Sequence, residues 1–374
     1  MTRTEKLLAE IVALPSVNPA FLPPRHPNGG EKNVADFLAG VAARAGLEIE
    51  FQKVFPNRSN FIARLLPQNK IRQTILLAPH LDTVGADGTK FIPLRKNGRL
   101  YGRGACDTKG SVAAMLVALC ELAESKNRPR ETGIVFAGLI DEEHVQAGSR
   151  ALAKNFKADL AIVGEPTKLQ IVTAHKGSLW LEMETHGKAA HGATPQFGKN
   201  AIHEMARIVD LLETDYAAQL RKRKHPLLGN PTVNVGVIFG GVQPNIVPDF
   251  CKITIDRRII PGETENGVKR EIQKFLRAKN LLAQMKDKKL APAIPLETNY
   301  KLPLVQKFLK CAGQTKPLGV HFFCDAAVLS AGGIPSIVFG PGDVAQAHTT
   351  DEWISLAELE RGKNLLLKFL KSLP

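Results

Sequence analysis

The sequence predicts an α/β protein in two parts. One is a larger, discontinuous domain with a mixed, largely parallel sheet flanked by helices. The other is a smaller βαββαβ domain inserted into it. Three observations carry this expectation. Up to about residue 170 helical and strand patterns alternate, the mark of an α/β layer. The middle of the chain then changes to a β-α-β-β-α-β order, the split βαβ arrangement. Finally, 374 residues are too many for one ordinary core.

Taken in order, Met1 to Pro19 has acids inside its apolar stretch. It reads as an amphipathic helix ending before Pro15 and not as a secretory leader. Glu31 to Ala45 has helical periodicity, and Leu47 to Val54 reads as a strand. Phe61 to Leu66 and Thr74 to Ala78 are short apolar runs, as in buried strands. Gly110 to Ala123 is a long apolar helix. Gly133 to Ile140 and Leu160 to Val163 are again buried strands. In the middle, Ser178 to Thr185, Thr232 to Phe239 and Phe250 to Arg257 read as strands. Asn200 to Leu212 and Glu265 to Ala278 read as helices, and a strand near Ala293 to Thr298 is expected to close the small sheet. From Pro303 the chain returns to helix, the apolar strand Ser336 to Phe339, a loop and a terminal helix. The expected boundaries are 1–176 with 293–374 for the larger domain and 177–292 for the insert.

Composition narrows the function classes. No run of eighteen apolar residues exists, so no membrane partner is expected. Five cysteines without a C-x-x-C pair argue against a disulfide framework and against a thiolate zinc knuckle. Free thiols and a cytoplasmic address follow. The formal charge is +14, which raises the alternative of a nucleic-acid-binding protein. The positive residues are scattered, however. The densest runs, Arg221 to Lys224 and Lys286 to Lys289, have no interleaved aromatics for base stacking. A solvated surface is the better reading, with a field that attracts anionic substrates.

Five clusters stand at the ends of apolar strands: A-P-H-L-D (Ala78 to Asp82), G-R-G-A-C-D-T-K-G (Gly102 to Gly110), I-D-E-E (Ile140 to Glu143), G-E-P-T (Gly164 to Thr167) and A-H-T-T-D-E (Ala347 to Glu352). Ligands of α/β sheets bind beyond the carboxyl ends of strands, so these loops can converge. Each cluster alone has a structural reading as a turn or a solvated acidic loop. Together, two histidines and several carboxylates suit a divalent cation such as zinc, cobalt or manganese. One carboxylate can bridge two such ions, and the pair activates water.

Over essentially its whole length, from P-S-V-N-P (Pro15 to Pro19) to H-T-T-D-E, the chain resembles the di-zinc deacylases and exopeptidases. That family includes acetylornithine deacetylase, succinyl-diaminopimelate desuccinylase, carboxypeptidase G, aminoacylase and bacterial tripeptidase. The resemblance implies a zinc-peptidase catalytic domain with an inserted dimerisation and lid domain. It implies two zinc ions per subunit and hydrolysis of an amide in a small carboxylate-bearing N-acyl amino acid. A dipeptidase, tripeptidase or carboxypeptidase of the same family is the alternative. His80, Asp107, Glu143, Glu165 and His348 would be metal ligands, with Asp107 bridging. Asp82 would hydrogen-bond the far nitrogen of His80. The adjacent pair Glu142 and Glu143 cannot be told apart by sequence; the resemblance makes Glu142 the general base.

In the insert, T-H-G-K-A-A-H-G-A-T-P (Thr185 to Pro195) resembles the family segment whose second histidine reaches a neighbouring active site across a homodimer. His191 would then stabilise the oxyanion; a surface histidine at a strand end is the alternative. Asn245 would contact substrate. Arg258 would grip its carboxylate, although the doublet Arg257-Arg258 leaves the register open. Gly342 in G-P-G would offer a backbone donor to the same carboxylate, or simply form a turn. An open-to-closed movement is implied, with hinges at Gly177 and around Leu290 to Pro292. Two departures from the pattern stand out. His144 follows the acidic pair, and Phe323-Cys324-Asp325 stands where relatives carry a Gly-Thr/Ser-Asp segment.

Overall fold

The computed structural model describes residues 1–288 and 291–374 and divides the chain into two compact units. The first comprises residues 1–173, 298–318 and 324–374; the second comprises residues 174–297 and 319–323. Leu290, at one of the two expected hinges, lies outside the described residues, as does Lys289 of the second basic run.

The core of the first unit is a mixed sheet. Gln73–Pro79 pairs in parallel with Thr132–Gly138 on one side and with Leu160–Gly164 on the other. Ser336–Val338 extends the parallel set beside Leu160–Gly164. The antiparallel hairpin Glu48–Phe55 and Arg58–Leu65 is added outside Thr132–Gly138. The apolar runs explain this order. Thr132–Gly138 and Leu160–Gly164 are buried at every position, as strands covered on both faces must be. Helix Lys109–Ala123 is buried almost all round and packs against the sheet and against helix Leu356–Lys371. Phe61, Leu77, Met115, Phe136, Ile162 and Phe369 meet in this core. At the start of the chain, Thr2 and Glu5 form a reciprocal cap on helix Arg3–Val12.

The parallel strands end on one edge. His80 follows Pro79, Asp141 to Glu143 follow Gly138, Glu165 follows Gly164, and His348 lies on the long connection after Val338. Three of the five sequence clusters are therefore brought to the carboxyl end of one sheet by strand pairing, and the connection after Val338 carries a fourth.

The second unit is a four-stranded antiparallel sheet. Its order is Thr232–Gly240, Phe250–Ile259, Gly177–His186, Gln284–Asp287, and helices Ala201–Leu211 and Glu265–Arg277 contribute to its core. The βαββαβ order holds, but its last strand is not the expected one. Gln284–Asp287 closes the small sheet, whereas Leu296–Glu297 pairs with Val172–His175 instead. The true edge strand is polar and exposed, so it lacks an apolar run to announce it. Both basic runs carry ion pairs. Lys286 meets Glu184 at 2.9 Å, Lys288 meets Glu182 at 3.5 Å, and Arg223 meets both Glu263 and Glu271. All five cysteines are free thiols. Among the described residues no helix is long and apolar enough to cross a membrane.

Candidate metal centre

Asp107 lies at the middle of the site. Its Oδ1 is 3.2 Å from His80 Nε2, and its Oδ2 is 3.3 Å from His348 Nε2. Around this carboxylate two clusters form. His80, Asp107 and Glu165 make one, with Glu165 Oε1 4.0 Å from His80 Nε2. Asp107, Glu143 and His348 make the other, with Glu143 Oε2 3.2 Å from His348 Nε2. Within each, the ligand atoms lie within 4.8 Å of one another. The geometry separates the adjacent glutamates: Glu143 joins a cluster and Glu142 joins neither.

The loop bearing Asp107 is held by a residue that the sequence motifs leave without a role. Glu352 is 2% exposed and accepts from Arg103 Nη1 (2.8 Å) and from the backbone N–H groups of Gly104, Cys106 and Asp107 (2.8–2.9 Å). Such a buried carboxylate is stable only because every donor is aimed at it. From the other side, Thr108 Oγ1 donates to Gly164 O at 2.6 Å.

The acidic loop is held in the same manner. Asp82 is fully buried and accepts from the backbone N–H groups of Glu142 and Glu143, both at 3.1 Å. His80 Nδ1 is closer to the Asp82 carbonyl (3.0 Å) than to its carboxylate (3.6 Å). Asp82 thus supports His80 largely through its backbone and the Glu142-Glu143 turn through its side chain. Asn18 Nδ2 joins this support, donating to Asp82 Oδ2 at 2.8 Å and to Asp141 Oδ1 at 3.1 Å. Arg58 donates to Asp141 and forms a fork with Glu31. Asp141 itself has a φ of +69°, a strained conformation for a non-glycine residue. Asn18 was legible only as part of P-S-V-N-P. Arg58 and Glu31 carried no signal, since an interior ion pair has no sequence period.

The electrostatics show a site short of positive charge. Burial opposes protonation of His80, yet the hydrogen bonds it donates to Asp107 and Asp82 hold it well above its ordinary value. Hydrogen bonds to Asp107 and Glu143 push His348 up to about 10. Burial raises Glu142 and Glu165 well above the usual carboxylate range, against the pull of His80. Burial also pushes Asp325, hydrogen-bonded to Ser149, up to about 7. Buried carboxylates crowded around two imidazoles fit a pair of divalent cations by donor type and by number.

Gly342 does not present a free donor. Its N–H donates to Glu358 at 3.2 Å, and that of Gly340 donates to Thr167 Oγ1 at 3.1 Å. With a φ of +96° and Cys106 packed against its α-carbon, Gly342 is needed for the turn itself. His144 is exposed and meets the ring of Phe21 edge-on.

In the second unit, His191 is exposed and pairs across a short bridge with Ile246; Gly192 N–H donates to Asn245 O at 2.7 Å. His191 and Asn245 are thereby brought together. The arginine doublet is split by strand alternation. Arg257 is fully buried against Tyr216 and Glu263, the latter at 2.7 Å. Arg258 lies on the other face, half-buried, and pairs with Asp256 at 3.0 Å. Gly177 has no room for a side chain, because the backbone of Ala293 and Pro295 crosses it.

Residues 76–372 match the profile of peptidase family M20/M25/M40. Acetylornithine deacetylase of Myxococcus xanthus is 32% identical over 349 residues, covering 89% of this chain and 90% of that protein. A peptidase M20 domain-containing protein of Schizosaccharomyces pombe is 30% identical over 345 residues, covering 90% and 78%. In fold the chain is similar to the aminopeptidase PepT of Bacillus cereus, with a TM-score of 0.79, 23% identity and coverage of 99% and 97%. A dinuclear metal-binding M20 peptidase of Bacillus subtilis gives a TM-score of 0.71 at 13% identity, covering 99% and 97%. The chain therefore belongs to peptidase family M20/M25/M40 and is a metal-dependent hydrolase of amide bonds.

Proposed function

We propose that the protein hydrolyses the amide bond of a small N-acyl amino acid, with two divalent metal ions, zinc by preference, and Glu142 as general base. One observation carries this reading: the two oxygens of Asp107 face two histidines, each in its own ligand cluster. His80, Asp107 and Glu165 would hold one ion and Asp107, Glu143 and His348 the other. When bound, such a pair supplies Lewis acidity and an activated water.

The chain's own residues supply the rest. Glu142, outside both clusters and backed by Asp82, is free to move a proton. It takes one from the attacking water as the new C–O bond forms. It delivers that proton to the leaving nitrogen as the C–N bond breaks. His191 would stabilise the oxyanion, Asn245 would contact substrate and Arg258 would bind its carboxylate. Supporting a homodimer, the edge strand Thr232–Gly240 exposes Val237, Ile238 and Phe239 in a row. An open apolar sheet edge is a natural partner for a second copy of itself.

A dipeptidase or tripeptidase is the second reading, supported by the fold shared with a tripeptidase of Staphylococcus aureus. The test is a screen of N-acyl amino acids against dipeptides and tripeptides with metal-reconstituted protein. Turnover of N-acyl amino acids, lost with chelator and restored by zinc, is the expected result. Peptide turnover alone would replace the first reading by the second. Chelator-resistant, steeply salt-dependent binding of nucleic acid with no turnover would sink both.

A further inference from the structure

The second unit holds a cavity of about 510 Å³, within the range of small-molecule sites. Part of its wall is cationic. Lys176, Arg221 and His321 all line it. Among the described residues, none of the three has a carboxylate within ion-pair distance, because the acids of this unit are committed elsewhere. Glu263 and Glu271 bind Arg223, Asp256 binds Arg258, and Glu297 binds His225. The acid in the lining, Glu213, accepts from the N–H of Val235 at 2.7 Å.

Lys176 is the informative group. It is 6% exposed, and its Nζ donates to the carbonyl of Asn230 at 2.6 Å. An ammonium has three donors, so two remain after that bond. Burial, followed by the charges of Arg258 and Arg257, works against its protonated form. The same holds for His321, which is lowered by burial and by Lys176 and Arg258. Cations held together without a counter-charge carry a cost that an incoming anion removes. Apolar side chains form another part of the wall, with Leu220 and Leu228 each 1% exposed and Val233 beside them, while Asn230 and Thr232 add polar atoms.

We infer that this cavity binds a small organic anion, with its carboxylate or phosphate head on Lys176, Arg221 and His321 and its apolar body on Leu220, Leu228 and Val233. All of its lining residues belong to the second unit, and the inference does not rest on the proposed hydrolysis. It also gives Arg221, the first residue of a basic run otherwise at the surface, a specific task.

The test is calorimetric titration of the full-length, metal-loaded protein with hexanoate, hexyl phosphate, hexanol and inorganic phosphate. Either or both amphiphilic anions are expected to bind once per chain, and their ranking identifies the preferred head. Hexanol and inorganic phosphate should bind at least about tenfold more weakly, the scale of one lost charge-assisted contact or of a lost apolar body. Lys176→Met and Arg221→Gln should each weaken anion binding by about tenfold or more while leaving hydrolytic turnover unchanged. If Lys176→Met fails to fold, Arg221→Gln, on an exposed side chain, decides alone. Hexanol binding as tightly as hexanoate would overturn the inference. So would anion binding undiminished in the variants, or no binding of either amphiphilic anion.

Discussion

At the scale of single residues, the site divides into groups that form the two ligand clusters and groups that hold them there. Glu142 and Glu143 show the first division. Glu142→Gln is expected to lower kcat by about 10²–10⁴-fold with bound metal unchanged. Glu143→Gln should instead weaken metal affinity by more than about tenfold. Metal analysis of both variants beside their kinetics separates the two roles; equal metal loss in both would refute the assignment. Glu352 shows the second division. Glu352→Ala leaves Arg103 and three backbone N–H groups without their acceptor. A loss of roughly 3–5 kcal/mol in denaturant unfolding is expected, with a smaller loss for Glu352→Gln, which keeps the shape. The first kind of residue is legible in the sequence through the five clusters taken together and the family resemblance they carry, not through any one cluster alone. The second kind is unmarked. Glu352, Arg58 and Glu31 act through contacts between segments far apart in the chain, which no local pattern records.

At the scale of elements, apolar periodicity marks the central parallel strands but not every buried one: the fully buried strand Val172–His175 carries no expectation in the sequence reading. The parallel strands around Leu76, Phe136 and Ile162 were read nearly to their ends because both faces are covered. The pattern failed at the sheet margin. Gln284–Asp287 pairs through its backbone while exposing Gln284, Lys286 and Asp287, so its side chains carry no trace of the pairing. The nearby apolar stretch beginning at Ala293 drew the assignment in its place. Strand alternation also gives a sharp contrast at the arginine doublet. Arg257→Gln breaks a fully buried pair with Glu263, and melting should show a loss of roughly 3–5 kcal/mol. Arg258→Gln should leave stability within about 0.5 kcal/mol and raise KM, since its side chain is on the half-buried face. A raised KM in the first variant, with no change in the second, would put the substrate contact on the wrong arginine.

At the scale of the whole molecule, metal and partner are expected to appear as stability and mass. Metal-loaded protein should melt higher than chelated protein, by the equivalent of about 2.7 kcal/mol when free metal is a hundredfold above its Kd. Identical melting curves would argue against occupancy of these clusters. Val237→Asp or Ile238→Asp on the exposed edge should halve the mass seen by light scattering, whereas an unchanged mass would move the interface elsewhere. One short segment ties these scales together. His348 faces the Asp107 carboxylate, and Glu352, four positions on, clamps the loop that carries Asp107. His348 also sits at a φ of +60° to make that span. The stretch between them is thus a spacer of fixed length. Removing or adding a single residue there would displace an imidazole and release a clamp together. A chain that lengthens its surface loops freely would still have to keep this one to the residue.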